Sequence, residues 1–258
     1  MVKICVLASS SSGNSTFLRA GDTRILIDAG MSRREIFARL SAIGEDPEDL
    51  NGILVTHEHC DHVSGLIPVL KKQRRRAPVY LSRLTAPAIS WGDYEPAIET
   101  FQAGERFSIG CLDIESFTVP HDAVDPVGFR VRGEGVQIGF VTDLGYVPDS
   151  IRMHLRGTDF LVLESNHDLE MLKVGPYPWS VKQRVMGRRG HLSNEVVSGF
   201  IADGLDGCCH TLLLGHLSEH NNHPEIVRLV ASQALERRGL RVRLVVSEPG
   251  HSSEVFQY

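Results

Sequence analysis

Ile53-Leu54-Val55-Thr56-His57-Glu58-His59-Cys60-Asp61-His62 is an apolar run that ends in four potential metal ligands within six residues. Alternation along an extended segment puts His57 and His59 on one side. The turn into the following helix-like run, Val63 to Leu70, lets Asp61 and His62 face a second point nearby. Imidazole and carboxylate donors suit Zn, Fe or Mn rather than Ca or Mg. Four ligands on one loop exceed what one ion conveniently takes from a single segment, so the spacing points to two ions. A polar, His-rich surface loop is the other reading, and for an isolated His-x-His it would be the better one. The full H-x-H-x-D-H pattern after an apolar strand favours metal.

The rest of the composition allows such a site and excludes other classes. The chain has 258 residues, 42% hydrophobic and 23% charged, which is ordinary for one large globular domain. We read residues 1–258 as a single domain, without linker or fixed-period repeat. No apolar run approaches a membrane span, and the N-terminus has no cleavage-site pattern, so no membrane partner is expected. Five scattered cysteines, with Cys208 and Cys209 adjacent, fit free thiols in a reducing cytoplasm. The net charge of −5 does not advertise nucleic-acid binding. Three local groups point that way more weakly: Lys71 to Arg76; Arg184, Arg188 and Arg189; and Arg237, Arg238, Arg241 and Arg243. Each can equally be read as a solvated helix face or helix end.

The element pattern is mixed α/β. Ser32-Arg33-Arg34-Glu35 is a capping box, followed by helically spaced Ile36, Phe37, Leu40 and Ile43 and a stop at Gly44. Strands are expected at Pro78–Leu81, along Phe107 to His121, and at Phe160–Leu163, Thr211–Leu214 and Val242–Val246. Gly128–Val131 and Val136–Val141 form a hairpin across Gly133-Glu134-Gly135. Residues 83–100 read as helical and irregular, and 165–190 as a long loop. Helices start at Ser193 and at Pro224. Three apolar strands end in a polar residue: His121 after Val119-Pro120, Asp143 after Val141-Thr142, and His216 after Leu214-Gly215. Singly, each is as readily a turn residue.

H-x-H-x-D-H resembles the signature of the metallo-β-lactamase superfamily. Val6 to Ser15 and Ile25 to Gly30 resemble the opening of that fold. The run Ser9-Ser10-Ser11-Ser12-Gly13-Asn14, with Gly215-His216-Leu217-Ser218, is similar to the YycJ/WalJ-like branch, related to ribonuclease Z. The resemblance implies a four-layered αβ/βα sandwich and two divalent transition-metal ions (Zn, Mn or Fe). It implies His57, His59 and His121 as ligands of one ion, Asp61, His62 and His216 of the other, and Asp143 between them. It implies Asp61 and His191 as catalytic residues, with His191 beside the scissile phosphate as proton donor, or else a residue flanking a helix N-terminus. Asp28 would orient a ligand histidine, or else be a β-turn residue. His167, Ser193, Asn194, Arg188 and Arg189 are candidates for phosphate contacts. Cys60 reads as a filler of a variable motif position, and His220 and His223 as loop and cap residues.

The resemblance implies a metal-dependent phosphodiesterase acting on nucleic acid: a 5′-to-3′ exonuclease on DNA rather than RNA, using a metal-bridging hydroxide. The 72 residues between Asp143 and His216 (144–215) leave no room for the long insert of ribonuclease J-type relatives. The alternatives are a small-molecule metallohydrolase (thioesterase, lactonase or cyclic phosphodiesterase) and a non-catalytic nucleic-acid scaffold. The complete ligand set argues against the scaffold.

Overall fold

A computed structural model of residues 1–258 resolves two seven-stranded sheets packed face to face between helices. The first sheet is built from β1 (Val2–Ser10), β2 (Gly13–Ala20), β3 (Thr23–Ile27), β4 (Gly52–Leu54), β5 (Val79–Ser82) and β6 (Ile98–Phe101). The second holds β7 (Arg106–Ile109), β8 (Leu112–Thr118), β9 (Val127–Gly133), β10 (Val136–Val141), β11 (Phe160–Glu164), β12 (Thr211–Gly215) and β13 (Arg243–Val246). The short C-terminal strand β14 (Phe256–Gln257) returns to pair with β1 in the first sheet. Eight helices accompany them: α1 (Arg33–Ala42), α2 (Cys60–Val63), α3 (Leu66–Leu70), α4 (Asp149–His154), α5 (Leu169–Val174), α6 (Trp179–Val185), α7 (Asn194–Asp203) and α8 (Pro224–Arg238).

Strand alternation builds the layers. In β1, Val2, Ile4 and Val6 enter the core between the sheets, while Cys5 and Leu7 enter the core beneath α1 and α3. In β11, Phe160 and Val162 face the inter-sheet core, and Leu161 and Leu163 face the core under α7 and α8. Three apolar layers therefore separate four structural ones, which is the expected αβ/βα sandwich. The helices lie outside because strands fully buried on both faces need apolar cover on each.

The local signals act as read at several places. Ser32 Oγ accepts from the Glu35 amide, and Gly44 takes a left-handed φ of 75° after α1. Glu134 and Gly135 both have positive φ, as a two-residue hairpin turn of this hand requires. Elsewhere the structure corrects the reading. The run Val63 to Leu70 is two helices broken at Ser64-Gly65, because Gly65 crosses the 29–31 backbone; a Cβ there would sit 1.8 Å from the Met31 carbonyl oxygen. Residues 107–121 contain a turn between two strands, β7 and β8, rather than one strand. Residues 83–100 hold one 3₁₀ turn, Ala86–Ala88, and end in strand β6. The expected loop at 165–190 contains helices α5 and α6.

Candidate metal centre

The site residues lie where strands of both sheets end. Strands β3 and β4 run parallel, as do β10, β11 and β12. Their C-terminal ends carry Asp28, His57, Asp143, Glu164 and His216 to a common edge. Open α/β sheets gather ligands at such edges, where parallel strands end together and loops take over. Asp28, Asp143 and His216 have left-handed φ values of 60°, 59° and 55°. That region costs a side-chain-bearing residue about 1–2 kcal/mol, so packing must hold all three there.

Two donor groups result. His57, His59 and His121 present ring nitrogens to one point. His121 Nε2 lies 3.3 Å from His59 Nδ1, and His121 Nδ1 donates to the Gly190 carbonyl at 3.2 Å, which turns Nε2 inward. Asp61, His62, Asp143 and His216 form the second group. Its neighbouring donors are evenly spaced: His62 Nε2 to Asp143 Oδ2 3.3 Å, His62 Nε2 to Asp61 Oδ2 3.4 Å, His216 Nε2 to Asp61 Oδ2 3.4 Å and His216 Nε2 to Asp143 Oδ1 3.3 Å. Tetrahedral coordination with bonds of about 2.05 Å has an edge of about 3.3 Å. Asp143 Oδ1 also lies 3.9 Å from His121 Nε2, so this one carboxylate reaches both groups. His57 Nε2 and Asp143 Oδ2 are buried and have no hydrogen-bond partner in the protein. Such orphaned atoms are costly unless a ligand satisfies them. The donor set fits divalent metal.

Neighbouring carboxylates orient the histidines. Asp28, fully buried, accepts from His62 Nδ1 at 2.8 Å and from the Thr56 amide and hydroxyl, both at 2.8 Å. Asp28 is therefore bound to a ring of the cluster and is more than a turn residue. Glu164, also fully buried, was not singled out from the sequence. Its Oε1 accepts from His191 Nδ1 at 2.6 Å and from His216 Nδ1 at 3.0 Å. Its Oε2 accepts from the amides of Leu144 and Leu192 at 3.0 and 3.2 Å. The available signal was its position: a carboxylate ending the apolar strand β11, next to the strands that end in Asp143 and His216. Asn14, from the serine-rich turn, approaches Asp61 Oδ2 at 3.3 Å and His62 Nε2 at 3.2 Å.

The electrostatics follow from this packing. Burial opposes a charge on His62, but Asp143 and Asp28 outweigh it and hold the ring's pKa well above its ordinary value. Burial likewise opposes His216, and Asp143, Asp61 and Glu164 lift it to about 10. Burial tends to raise Glu164, yet His191 and His216 bring it down to about 2. His191 is raised, its burial outweighed by Glu164. Burial drives His57 well below the usual range, and the neighbouring His62 adds to that. Without metal, protons on His62 and His216 offset the buried carboxylates.

The remaining candidates separate. His191 sits beside both groups, with Nδ1 3.8 Å from Asp143 Oδ1 and the ring 19% exposed. Arg188 and Arg189 are exposed on the same loop, and Arg188 lies 4.4 Å over the Tyr146 ring. Three phosphate candidates are buried. His167 is buried and pushed down to about 4 by that burial, so it carries no charge at neutral pH. Ser193 is buried, and its hydroxyl oxygen accepts from the Val196 amide as the cap of α7. Asn194 is buried with its side chain tied to Ser165 and Asn222. Of the basic groups, Arg184 pairs with Asp122, Arg238 bonds the carbonyls of Ile201 and Leu205, and Arg243 pairs with Glu254. Cys60 is exposed, and His223 caps α8.

A beta-lactamase superfamily domain model matches residues 23–202. The chain belongs to this metallo-β-lactamase-fold hydrolase superfamily, in its YycJ/WalJ branch. It is 36% identical over 245 residues to exodeoxyribonuclease YycJ of Bacillus anthracis, covering 92% of this chain and 90% of that one. Exodeoxyribonuclease WalJ of Streptococcus pneumoniae is also 36% identical over 245 residues, covering 93% and 90%. Among solved structures, the metallo-β-lactamase-fold protein YhfI of Bacillus subtilis superposes with a TM-score of 0.72 at 18% identity, covering 98% of this chain and all of that one. Zn(2+)-bound PqqB of Methylobacterium extorquens superposes with a TM-score of 0.70 at 16% identity, covering 98% and 99%. These two likenesses bear on the fold.

Proposed function

We infer that this protein is a phosphodiesterase that uses two divalent transition-metal ions, Zn, Mn or Fe, to degrade DNA from the 5′ end. The observation that carries the reading is the pair of donor groups within reach of Asp143, flanked by the Glu164–His191 pair. Near-full-length similarity to two exodeoxyribonucleases supports DNA as the substrate. In this reading His57, His59 and His121 hold one ion, Asp61, His62 and His216 the other, and Asp143 both. Bound there, the ions would make water acidic enough to act as a nucleophile near neutral pH and would offset charge on the phosphoryl oxygens.

The chain's own residues do the rest. Glu164 accepts from Nδ1 of both His191 and His216, so each ring is fixed in one tautomer with Nε2 directed elsewhere. On His216 that leaves the Nε2 lone pair between Asp61 and Asp143. On His191 it leaves Nε2 without a protein partner, on a ring whose proton is favoured by Glu164. That ring can bond a non-bridging phosphate oxygen and give its proton to the departing sugar oxygen. Asp28 and Asn14 keep His62 and Asp61 in register. Arg188 and Arg189 stand beside His191 to meet the strand's charge. Five unpaired cysteines fit a protein working in the cytoplasm. No helix is long and apolar enough to cross a membrane.

The test is a substrate panel for the Mn- or Zn-loaded protein: 5′-phosphorylated duplex DNA, the matching RNA, a lactone and a thioester. Progressive loss of nucleotides from the 5′ end of DNA is expected. Higher kcat/KM on the lactone or thioester, with intact DNA, would replace this reading with a small-molecule hydrolase.

A further inference from the structure

A groove of about 770 Å³ opens between the start of α1 and the outer side of α3, lined by Ser32, Arg33, Arg34, Ser64, Lys71 and Lys72. None of Arg33, Arg34, Lys71 and Lys72 forms an ion pair; Lys71 Nζ lies 5.8 Å from the centre of the Tyr94 ring. The nearest carboxylate in sequence, Glu35, is turned back onto the Ser32 hydroxyl at 2.9 Å. Two residues beyond Lys72 the pattern reverses, and Arg74 pairs with Asp46 and Glu48. Four unneutralised cations around one concavity repel one another and raise the local concentration of anions.

Topology sets the direction of the groove. Helix α1 connects the parallel strands β3 and β4, so its first turn lies at the strand ends that carry Asp28 and His57. Ser64 follows His62 by two residues and donates to the Gly30 carbonyl at 2.7 Å. The wall formed by Ser32, Arg33 and Ser64 therefore lies at the same sheet end as the metal centre. Helix α3 then carries the wall away from it to Lys71 and Lys72. The four cations come from segments separated by more than thirty residues in sequence, and only the fold brings them to one surface.

We propose that this groove is a track for the phosphate backbone of the DNA strand, holding phosphates beyond the nucleotide being cut. The proposal rests on the nuclease reading and adds where the uncut strand lies. A closely spaced row of phosphates satisfies all four cations at once.

The test uses the metal-loaded full chain and a hydrolysis-resistant phosphorothioate DNA strand, with affinity measured against salt. The variants are R33Q/R34Q/K71Q/K72Q and the lighter K71Q/K72Q, with R237Q/R241Q as comparison. Helix α8 connects the parallel strands β12 and β13, so its C-terminal end, with Arg237, lies at the sheet end opposite His216. Each single-strand phosphate contact contributes about 0.7 to the log–log salt slope, so four contribute about 2.8; a roughly fourfold rise in salt should then cost wild type about 50-fold more affinity than the quadruple variant. The kcat/KM advantage of a long strand over a dinucleotide should shrink in both groove variants and persist in R237Q/R241Q. An unchanged slope in the quadruple variant, with DNA still cleaved by wild type, would overturn the track and leave the nuclease reading standing. Groove-dependent slopes with RNA alone would overturn DNA as the occupant. No DNA cleavage by wild type would overturn the nuclease reading itself.

Discussion

Replacing Glu164 by Gln tests the part of the site that depends most on a single carboxylate. Both oxygens of Glu164 are engaged, one by two imidazole N–H groups and the other by two backbone amides. A glutamine keeps the shape but turns one acceptor into an amide donor. If its NH₂ faces the amides of Leu144 and Leu192, two buried N–H groups lose their acceptor. At about 1–3 kcal/mol for each unsatisfied buried group, the fold loses roughly 2–6 kcal/mol. If the NH₂ faces the histidines instead, both rings are pushed to the other tautomer. His216 then presents an N–H to Asp61 and Asp143, where a ligand lone pair is needed. Loss of such an orienting partner weakens metal binding by about 10–100-fold, and loss of a correctly held proton donor costs about 10²–10⁴ in rate. Urea unfolding, metal titration and kcat at saturating metal separate these outcomes. E164Q with wild-type stability, metal affinity and turnover would refute the reasoning, because no glutamine rotamer preserves all four bonds.

Four further outcomes are expected. Metal loading should reach about two ions per chain by elemental analysis and release protons, because His62 and His216 have raised pKa values without metal, whereas those of His57 and His121 are lowered. Uptake without proton release in an indicator titration would contradict that electrostatic picture, and metal affinity should fall as pH drops. H59A should lose both metal and turnover, whereas H191A should retain metal and lose about 10²–10⁴ in kcat; equal metal loss in the two would remove His191 from its separate role. G30A should be destabilised by about 3 kcal/mol or more, since a Cβ at Gly30 would lie 1.6 Å from the Asp61 carbonyl oxygen and neither backbone can yield easily; wild-type urea stability would argue against that close approach. D28N should weaken metal binding about 10–100-fold by leaving His62 Nδ1 without its carboxylate; unchanged affinity in a metal titration would make Asp28 a backbone-turn residue only.

The hexapeptide could be read directly because its information is local. Alternation and a helix start arrange His57, His59, Asp61 and His62 within six residues, with no help from distant parts of the chain. The capped helix α1, the hairpin at Glu134-Gly135 and the apolar strands were legible for the same reason. Other features depend on pairing across the fold. Glu164 looks in sequence like the end of a buried strand, and it becomes a bond acceptor for two histidines only when β10, β11 and β12 lie side by side. Helices α5 and α6 have six and seven residues, too short to be stable alone, so their helicity comes from packing. Ser193 and Asn194 read as phosphate donors at a helix start, but tertiary burial directs both side chains inward. The left-handed backbone at Asp28, Asp143 and His216 has only a weak sequence signal, because Asp and His are enriched in that region only several-fold over other side-chain-bearing residues. Residue type and spacing determined which atoms can bind metal. The crossing of two sheets decided which of them meet, because a buried donor takes its partners from neighbouring strands and not from neighbouring residues.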